Sequence, residues 1–355
     1  MFNAEKYIAE CLNSLVEQTF QDFEVIVVDD CSTESSVAIV ESYASKFGGR
    51  LKLSKTKINS GGGGYVPRNI GLGLSRGEYI YFVDADDFIA KDALEILHTT
   101  AKNSGADVVY TPAYFSYGGA DKINLEVDKE GRTLREAGRE DNPTLTVDNP
   151  EQNLQRLLLG GGSFHMPWVK FIQRSFLIEN EIVFPKIFSG GDFIWTIQVF
   201  CCAKKFLRIP VALYFYRENA FDSITREKKS PREQISKCVT AFLLGMKALQ
   251  ELSTKNNLLQ NQIYFQAAVR PFFNNCLKRT FDERMQLNPQ DVYEILSREF
   301  ASDSSAATVP FLFSVIDGQQ KNQLMEQQQF QKFAVQAQQR IAALENEIRQ
   351  LKSKE

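Results

Sequence analysis

Two short apolar runs that each end in acidic residues constrain the fold of this chain more than any other feature. They are residues 23–30 (FEVIVVDD) and residues 79–87 (YIYFVDADD). Runs of five or six β-branched and aromatic residues are typical of strands that are buried on both faces. Helical spacing of apolar residues over 5–18 and 91–103 alternates with these runs. The alternation predicts an α/β protein, with a doubly wound, mostly parallel sheet flanked by helices.

Composition narrows the class of protein further. The chain has 355 residues, of which 43% are hydrophobic and 24% charged, which is typical of globular proteins rather than disordered or fibrous ones. At about 150 residues per domain, this length predicts about two domains, or one large domain with an appendage. The net charge of −3 provides no basic surface for a nucleic-acid backbone, so we expect no nucleic-acid partner.

The sequence also bears on location and on metal chemistry. No apolar run reaches the ~18 residues that span a membrane, and the opening residues MFNAEKYIAECLNS lack the apolar centre of a signal peptide. The six cysteines show no CxxC spacing, which is typical of reduced thiols. We therefore expect a cytoplasmic protein. Because the chain has only two histidines, we expect any bound metal to have oxygen ligands.

The acidic residues lie where an open sheet binds its ligands. Ligands of doubly wound sheets sit outside the carboxyl ends of the strands, and both apolar runs end there in aspartates. Asp84 and Asp86 are separated by one residue of extended chain, so their side chains share one side and suit Mg²⁺ or Mn²⁺. The position after a buried strand favours this metal site. An isolated Asp-x-Asp more often caps the next helix, and that role for Asp86 or Asp87 stays open.

A glycine-rich loop supplies a second component of a binding site. Residues 59–64 read NSGGGG and are followed by Arg68. Four consecutive glycines let the backbone approach a ligand closely, and the arginine suits a phosphate or the acidic strand end. A flexible loop without a ligand is the alternative. No Gly-Lys-Ser/Thr follows the glycines, which argues against a P-loop ATPase.

Asp192 is a further acidic candidate. It follows Ser189-Gly190-Gly191 and precedes an apolar helical pattern, so the local sequence assigns it the N-cap of a helix. A general base at the start of a helix is compatible with that role. We expect Lys170 and Arg217 at the surface or in ion pairs, unless the fold brings them to a phosphate.

Four segments of the chain combine in a specific order. They read AEKYIAECLNSLVEQTFQDFEVIVVDDCST, NSGGGGYVPRNIGLGLSRGEYIYFVDADD, GGDFIW and YFYRENAFDSIT. Their order and spacing resemble family 2 glycosyltransferases of the GT-A fold over roughly residues 2–228. The resemblance implies an inverting transferase with Mg²⁺ or Mn²⁺ as cofactor. Such an enzyme moves a sugar from a nucleotide diphosphate, commonly UDP, to a hydroxyl of a glycan or lipid-linked acceptor.

The resemblance also implies roles for individual residues. Asp192 matches the catalytic base, and Asp84 and Asp86 match the metal-binding pair that bridges the diphosphate. Arg217 and Ser223 match residues of a segment that closes over the diphosphate. The nucleotide-binding positions of the family fall on Phe2, Asp29, Asp30, Asn59, Arg68 and Asp84.

Two positions depart from the family pattern. Members usually carry an acidic residue before the base, where this chain has Gly191. They also open with an apolar strand, and Phe2 and Asn3 match only its end. A strand at that place would be central in the sheet, so its loss would leave backbone groups of both neighbours unpaired. We expect a chain extended upstream by about ten residues, one strand and its lead-in, to be more soluble and more active.

The resemblance and the composition together divide the chain. Residues 1–228 are predicted to form the GT-A domain, with a nucleotide-binding half at 1–115 and an acceptor-side half at 116–228. Residues 229–318 are predicted to be a helical region, and 319–355 a helical tail rich in Gln, Glu, Lys and Ala. A solvated helix and a coiled coil that forms a homo-oligomer both fit the tail. The apolar residues that set its heptad-like register are Ile341, Leu344, Ile348 and Leu351.

Two other functions stay open. A phosphohydrolase of the haloacid dehalogenase type also places Asp-x-Asp after an apolar strand, but its motif lies near the N-terminus and has Thr or Val where this chain has Phe88. An inactive transferase-like scaffold that acts through the tail is compatible with Gly191. The commonest setting of the family is the synthesis of envelope polysaccharide or lipid-linked glycan, which is compatible with peripheral contact at the inner face of the membrane.

Overall fold

The computed structural model describes residues 1–62, 64–111, 113–117, 133–136, 146–147, 165–209, 211–217 and 230–280. Ser223 and the predicted tail at 319–355 lie outside these residues. The chain divides into two compact units. One unit contains Met1–Lys229 and Thr240–Cys276, and the other contains Ser230–Val239 and Leu277–Glu355. The domain boundaries at 228 and 318 stay predictions.

Strands and helices alternate in the first half of the chain, as the sequence predicts. The strands are β1 (Val25–Asp29), β2 (Leu51–Lys55), β3 (Tyr79–Tyr81), β4 (Phe88–Ile89), β5 (Val108–Tyr110), β6 (Ala113–Tyr117), β7 (Thr133–Glu136), β8 (Thr146–Val147), β9 (Lys170–Gln173), β10 (Phe206–Arg208) and β11 (Tyr214–Arg217). The helices are α1 (Ile8–Val16), α2 (Ser36–Ser42), α3 (Tyr65–Leu74), α4 (Ala93–Ser104), α5 (Arg174–Glu179), α6 (Gly191–Cys202), α7 (Pro231–Lys255), α8 (Asn257–Gln260) and α9 (Gln262–Thr280). A short 3-10 helix, Pro167–Val169, precedes β9.

The strands β1 and β2 pair in parallel, and β1 ends at the first acidic pair. The backbone of Met1 lies along the opposite edge of β1. Its amino group donates to the carbonyl oxygen of Val28 at 2.7 Å, and its carbonyl accepts the N–H of Asp30 at 2.8 Å. Successive residues of a strand direct their backbone groups to opposite edges, which is why β2 and Met1 contact different residues of β1. The end of β1 is therefore held on both sides.

The other described strands form two mixed sheets, with the orders β3-β9-β5-β10-β8 and β4-β11-β6-β7. β9 runs antiparallel to both β3 and β5, whereas β10 is parallel to β5 and β11 is parallel to β6. The predicted α/β class, with sheets flanked by helices, is confirmed. The antiparallel direction of β9, which makes its sheet mixed, is a detail that the sequence pattern did not predict. Burial on both faces makes a strand apolar whatever its direction, so composition could not reveal that β9 runs against its neighbours.

Aromatic packing anchors the elements that carry the candidate site residues. Trp195 of α6 stacks on Phe184, with ring centroids 4.4 Å apart, and meets Phe82 edge-on at 5.7 Å. Trp168 stacks on Tyr214 of β11 at 4.3 Å. Trp195 and Tyr214 are fully buried. Since buried aromatic rings have few alternative rotamers that fit a packed core, α6 and β11 are held in place.

The helices α7, α8 and α9 lie within the region 229–318 that the sequence predicts to be helical, and residues 281–318 lie outside the described ones. Within one compact unit, Phe272 of α9 packs directly against Gly245 of α7. A Cβ added to Gly245 would lie 2.1 Å from Cζ of Phe272. None of the helices in the described ranges is long and apolar enough to cross a lipid bilayer.

Candidate active site

Arg68 joins two of the predicted acidic residues. Its Nη1 donates to Oδ1 of Asp192 at 3.0 Å, and its Nη2 donates to Oδ1 of Asp84 at 2.8 Å. Arg68 lies in α3, Asp84 follows β3, and Asp192 lies in α6, so three separate segments meet here. Burial alone would lower the pKa of Arg68, but the carboxylates of Asp192 and Asp84 raise it above its usual value. The guanidinium therefore stays charged between them.

The surroundings of Arg68 restrict where its guanidinium can lie. The ring centroid of Phe184 is 5.3 Å from its Cζ, a cation–π distance. Gly64 precedes α3 with a φ of +68°, and a Cβ added there would lie 3.2 Å from Cζ of Arg68. Asn69 exchanges two hydrogen bonds of 2.9 Å with the backbone of Phe184. These contacts hold Arg68 and the loop before α6 together.

The three carboxylates in the turn after β3 have different surroundings. The side chain of Asp84 is 34% exposed, Asp86 is half-buried, and Asp87 is only 2% exposed. Burial raises the pKa of Asp86 to about 6, and the adjacent Asp84 acts in the same direction. Burial also raises the pKa of Asp87 well above its usual value, with Asp86 and Asp84 adding to the effect. Neighbouring negative charges disfavour the ionisation of each carboxyl group, and a nearby cation would relieve this repulsion.

Both ends of β11 are hydrogen-bonded to this turn through Asp87. The hydroxyl of Tyr214 donates to Oδ2 of Asp87 at 2.8 Å, and the N–H of Arg217 donates to Oδ1 at 2.7 Å. Nε of Arg217 in turn donates to the carbonyl oxygen of Asp86 at 3.0 Å, and its Nη2 forms an ion pair with Glu10. Arg217 thus lies beside the Asp84–Asp87 turn, and its predicted place in an ion pair is confirmed.

Two helix-capping roles that the sequence suggested do not occur. Asp86 and Asp87 are followed by β4 rather than by a helix, because the chain continues into a pairing with β11. The N-cap of α6 is Gly190, whose φ is +83°, and Asp192 lies inside the first turn. The backbone N–H groups of a first turn make it a favourable place for a negative charge. Asp192 is therefore presented at the positive end of α6 without capping it.

Asp30 organises the start of the glycine-rich loop. Its carboxylate accepts hydrogen bonds from Oγ1 of Thr56 at 3.0 Å, from the N–H of Ser60 at 3.1 Å and from Oγ of Ser60 at 2.6 Å. Nδ2 of Asn59 donates to the carbonyl oxygen of Asp30 at 2.8 Å. Asp29, also buried, accepts hydrogen bonds from the backbone of the segment that follows β1. The end of β1 and the loop therefore form one hydrogen-bonded unit.

Lys170 is buried, which corrects the prediction of a surface position. Its side chain in β9 is fully buried, and its Nζ donates to the carbonyl oxygen of Met166 at 2.7 Å. The ring centroids of Tyr110, Trp195 and Phe200 lie 5.7–6.0 Å from Nζ. Burial lowers the pKa of Lys170 to about 7, and Asp192 acts in the opposite direction. The apolar run WVKFI around Lys170 was the available signal in the sequence.

The remaining candidate residues fall at the border of this site or outside the described residues. Phe2 is 37% exposed and follows Met1, whose backbone runs beside β1. Ser223 lies outside the described residues. Tyr7 was not selected from the sequence, yet Cζ of Arg217 lies 4.7 Å from its ring centroid. Neither Tyr7 nor Glu10 had a local signal, since both belong to an amphipathic helical segment with many polar residues.

Asp84 and Asp86, which the sequence predicts as metal ligands, supply two carboxylates of the kind that divalent cations bind. Among the described residues, no group of three or more His, Cys, Asp or Glu side chains is arranged to hold a metal ion. Mg²⁺ is commonly bound through one or two carboxylates, and substrate phosphates and water complete its octahedron. Burial and the charge of Asp84 together oppose the ionisation of Asp86. These two carboxylates therefore fit a cation that is bound jointly with a diphosphate.

The sequence is similar to glycosyltransferases of one family. Glycosyl transferase family 2 matches residues 1–157. The glycosyltransferase GlyG of Streptococcus pneumoniae is 33% identical over 221 residues, which are 62% of this chain and 69% of GlyG. The poly(ribitol-phosphate) beta-N-acetylglucosaminyltransferase TarS of Staphylococcus aureus is 32% identical over 218 residues, which are 61% of this chain and 34% of TarS. The chain thus spans about a third of the length of TarS.

Solved structures extend the comparison to the fold. The crystal structure of S. aureus TarS 1–349 in complex with UDP-GlcNAc matches with a TM-score of 0.55 at 23% sequence identity, over 90% of both chains. The complex of TarS 1–349 with UDP matches with a TM-score of 0.52 at 24% identity, over 90% of this chain and 89% of the TarS chain. At such identities the likeness concerns the fold. This chain belongs to the family 2 glycosyltransferases and has the GT-A fold.

Proposed function

We propose that this protein transfers a sugar from a nucleotide diphosphate, with UDP as the nucleotide, to a hydroxyl of a glycan or lipid-linked acceptor, with inversion at the anomeric carbon. The observation that carries the proposal is the bridge from Asp84 through Arg68 to Asp192. It joins the first residue of the Asp-x-Asp turn and a carboxylate on another element to one guanidinium. The family membership and the UDP complexes of TarS support a UDP-sugar donor.

The nucleotide would lie against the end of β1 and the glycine-rich loop. Asp30 and Asn59 are the polar groups there that suit a base or ribose, with Asp29 beside them and Phe2 at the border. Asp30 already uses its carboxylate to order Ser60, so it would act on the nucleotide partly by shaping the loop. Arg68 and Asp84 would border the same nucleotide from the side of the Asp-x-Asp turn.

The diphosphate would lie against the turn after β3. Asp84 and Asp86 would hold Mg²⁺ or Mn²⁺, and this cation supplies neutralisation of the charge that grows on the departing diphosphate. Arg217 is hydrogen-bonded to Asp86 and Asp87 beside the turn, and this position supports a contact between its guanidinium and the diphosphate. Ser223 follows on the same chain segment and is proposed to contact the diphosphate as well.

Asp192 would remove the proton from the attacking acceptor hydroxyl. A single displacement on the face opposite the leaving diphosphate inverts the anomeric carbon, and a carboxylate base on that face is sufficient for it. An ionised carboxylate has about four lone-pair sites on its two oxygens, so the contact of Arg68 with Oδ1 is compatible with proton acceptance by Asp192. Arg68 would hold the base at a set distance from Asp84.

The deciding experiment is calorimetry of the full chain with UDP, with and without Mn²⁺, followed by a panel of UDP- and GDP-sugars in which nucleotide release is measured. We expect Mn²⁺-dependent UDP binding and acceptor-dependent release of UDP. Poly(ribitol phosphate), for which TarS is named, belongs in the acceptor panel. NMR of the product would establish the anomeric configuration.

Other outcomes of the same experiment would support the competing functions. Absence of any UDP binding would point to an inactive scaffold. Release of phosphate from a simple phosphoester, without any use of nucleotide sugars, would instead support a phosphohydrolase. Retention of the anomeric configuration would overturn the role proposed for Asp192.

Assembly and location are separate proposals. We propose a cytoplasmic protein that contacts the inner face of the membrane peripherally, where lipid-linked acceptors are found. We propose in addition that residues 319–355 form a coiled coil that joins copies of the chain. Light scattering of the full chain would show an oligomer, and vesicle flotation would show membrane contact. A monomer that does not float with vesicles would contradict both proposals.

A further inference from the structure

Tyr214 contacts the Asp84–Asp87 turn at two points. Its hydroxyl accepts the backbone N–H of Asp84 at 3.0 Å and donates to Oδ2 of Asp87 at 2.8 Å. The side chain is fully buried, and its ring stacks on Trp168 at 4.3 Å. A stacked and buried ring leaves the hydroxyl little freedom of position. Tyr214 therefore fixes the peptide that carries the first carboxylate of the Asp-x-Asp pair.

Asp87 links Tyr214 to Asp86, the second carboxylate of the Asp-x-Asp pair, by way of Arg217. It is 2% exposed, and its Oδ1 accepts the N–H of Arg217 at 2.7 Å. Nε of Arg217 donates to the carbonyl oxygen of Asp86 at 3.0 Å. The backbone groups of Asp84 and Asp86 are thus hydrogen-bonded to the first and the last residue of β11, respectively. Asp87 itself faces Tyr214 and Arg217, which sets it apart from the two proposed metal ligands.

Strand pairing alone already joins these elements. β4, which follows the turn, pairs with β11 through Phe88 and Phe215 and through Ile89 and Tyr214. The bonds of the Tyr214 hydroxyl and the Asp87 carboxylate are additional to that pairing. They act on the residues of the turn, where the carboxylates must be aimed at a ligand.

We propose that Tyr214 and Asp87 are positioning residues that set the geometry of Asp84 and Asp86 for a divalent cation. The inference rests on the proposed function, because it concerns the proposed metal ligands. Groups that orient metal ligands through hydrogen bonds typically change metal affinity 10–100-fold when they are removed. Tyr214 and Asp87 would affect metal affinity by holding the backbone of the Asp84–Asp87 turn in place, without contacting the cation.

The test compares Tyr214→Phe with Tyr81→Phe in the full chain. Tyr81 lies in β3, close to the same turn, and its buried hydroxyl has no hydrogen-bond partner within the described ranges. Both variants remove one buried hydroxyl, but only Tyr214→Phe breaks bonds to the turn. We expect Tyr214→Phe to weaken Mn²⁺ binding in the presence of UDP by about tenfold or more, and to leave UDP binding without Mn²⁺ unchanged. Tyr81→Phe should change neither.

Each outcome of this comparison is decisive. If the unmodified chain shows no Mn²⁺-dependent binding, the proposed function fails and the inference falls with it. If it does, and Tyr214→Phe lowers only the melting temperature, the role of Tyr214 is structural and the inference is overturned.

Asp87→Asn is a second variant that tests the same inference. If Tyr214→Phe does not fold, the result with Asp87→Asn decides whether the inference holds. The amide keeps one oxygen that can accept a hydrogen bond, so we expect a smaller loss of Mn²⁺ affinity than in Tyr214→Phe. Unchanged Mn²⁺ affinity in a folded Asp87→Asn variant would overturn the part of the inference that concerns Asp87.

Discussion

Arg68 and Asp192 lie 124 residues apart in the sequence and are joined by an ion pair of 3.0 Å. The same guanidinium holds Asp84 at 2.8 Å. Two carboxylates with different proposed roles therefore share one counter-charge. In a largely buried setting the guanidinium is the group that this arrangement depends on, because its loss leaves both carboxylates without a compensating charge.

Replacement of Arg68 by alanine is expected to destabilise the fold by about 2 kcal/mol or more, since it leaves two partly buried carboxylates facing each other. Arg68→Lys should recover only part of this loss, because an ammonium lacks the planar fork that reaches both carboxylates. Urea unfolding measures the change. The matched control is Lys102→Ala, which removes an exposed ion pair with Glu78 and should leave the midpoint unchanged. An unaltered midpoint in Arg68→Ala would show that the bridge contributes nothing to stability.

Asp192→Asn is expected to reduce kcat by about 10²–10⁴-fold, the usual contribution of a general base. The amide keeps an oxygen that accepts the hydrogen bond from Arg68, so UDP binding and the melting temperature should change little. Single-turnover transfer and calorimetry separate the two effects. Asp92→Asn is the control, since Asp92 is an exposed residue that precedes α4 and makes no side-chain capping bond. Equal losses of UDP binding and transfer in Asp192→Asn would indicate a structural role for Asp192.

Lys170→Met should make the stability of the protein less dependent on pH. Because burial lowers the pKa of Lys170 to about 7 from an ordinary value of 10.5, the unfolded chain binds one more proton between these values. Stability of the unmodified protein therefore rises with pH across this window, by up to about 1.4 kcal/mol per pH unit. Lys170→Met has no titrating amine at this position, so its free energy of unfolding lacks this pH dependence. The gain in stability over the unmodified protein is therefore largest below about pH 7 and disappears towards pH 10.5.

Urea unfolding at several pH values across the window between about 7 and 10.5 measures this effect. Lys247→Met, an exposed position on α7, is the matched control and should leave the pH dependence as it is. Parallel stability curves for the unmodified protein and Lys170→Met would contradict the assignment of a shifted pKa to Lys170.

Gly190 and Gly245 both pack against Phe272, and alanine at either position should destabilise the fold by about 1–3 kcal/mol. An added Cβ would lie 2.6 Å from a ring carbon of Phe272 at position 190 and 2.1 Å from one at position 245. A second substitution that shortens residue 272 should restore stability to different extents in the two variants. Phe272→Leu should relieve Gly245→Ala, which is otherwise favourable inside a helix. It should relieve Gly190→Ala less, since the φ of +83° at Gly190 still disfavours alanine.

Thermal unfolding of the single and double variants measures this difference in rescue. Equal rescue at both positions would show that the strained backbone at Gly190 makes no separate contribution. Because Gly190 is the N-cap of α6, the Gly190→Ala variant is also expected to reduce transfer through displacement of Asp192.

Local patterns in the chain were sufficient for the class of the fold. The apolar runs before Asp30 and Asp84 form β1 and β3, and the spacing of apolar residues places α1 and α4 correctly. Such patterns report which faces of an element are buried, and this depends on neighbouring residues only. They do not report strand direction, so the antiparallel insertion of β9 between β3 and β5 was not foreseen.

By itself, the sequence determined that acidic residues stand at the carboxyl ends of buried strands, and hence where a ligand site was to be expected. Only the tertiary structure decided how the charges there are divided. In the folded chain Arg68 forms ion pairs with both Asp84 and Asp192, and Lys170 is buried among aromatic rings. Folding also turned Asp87 towards Tyr214 and away from a helix cap. The reason is physical: strand and helix signals arise between near neighbours in the chain, whereas counter-charges and burial depend on residues that meet only after folding.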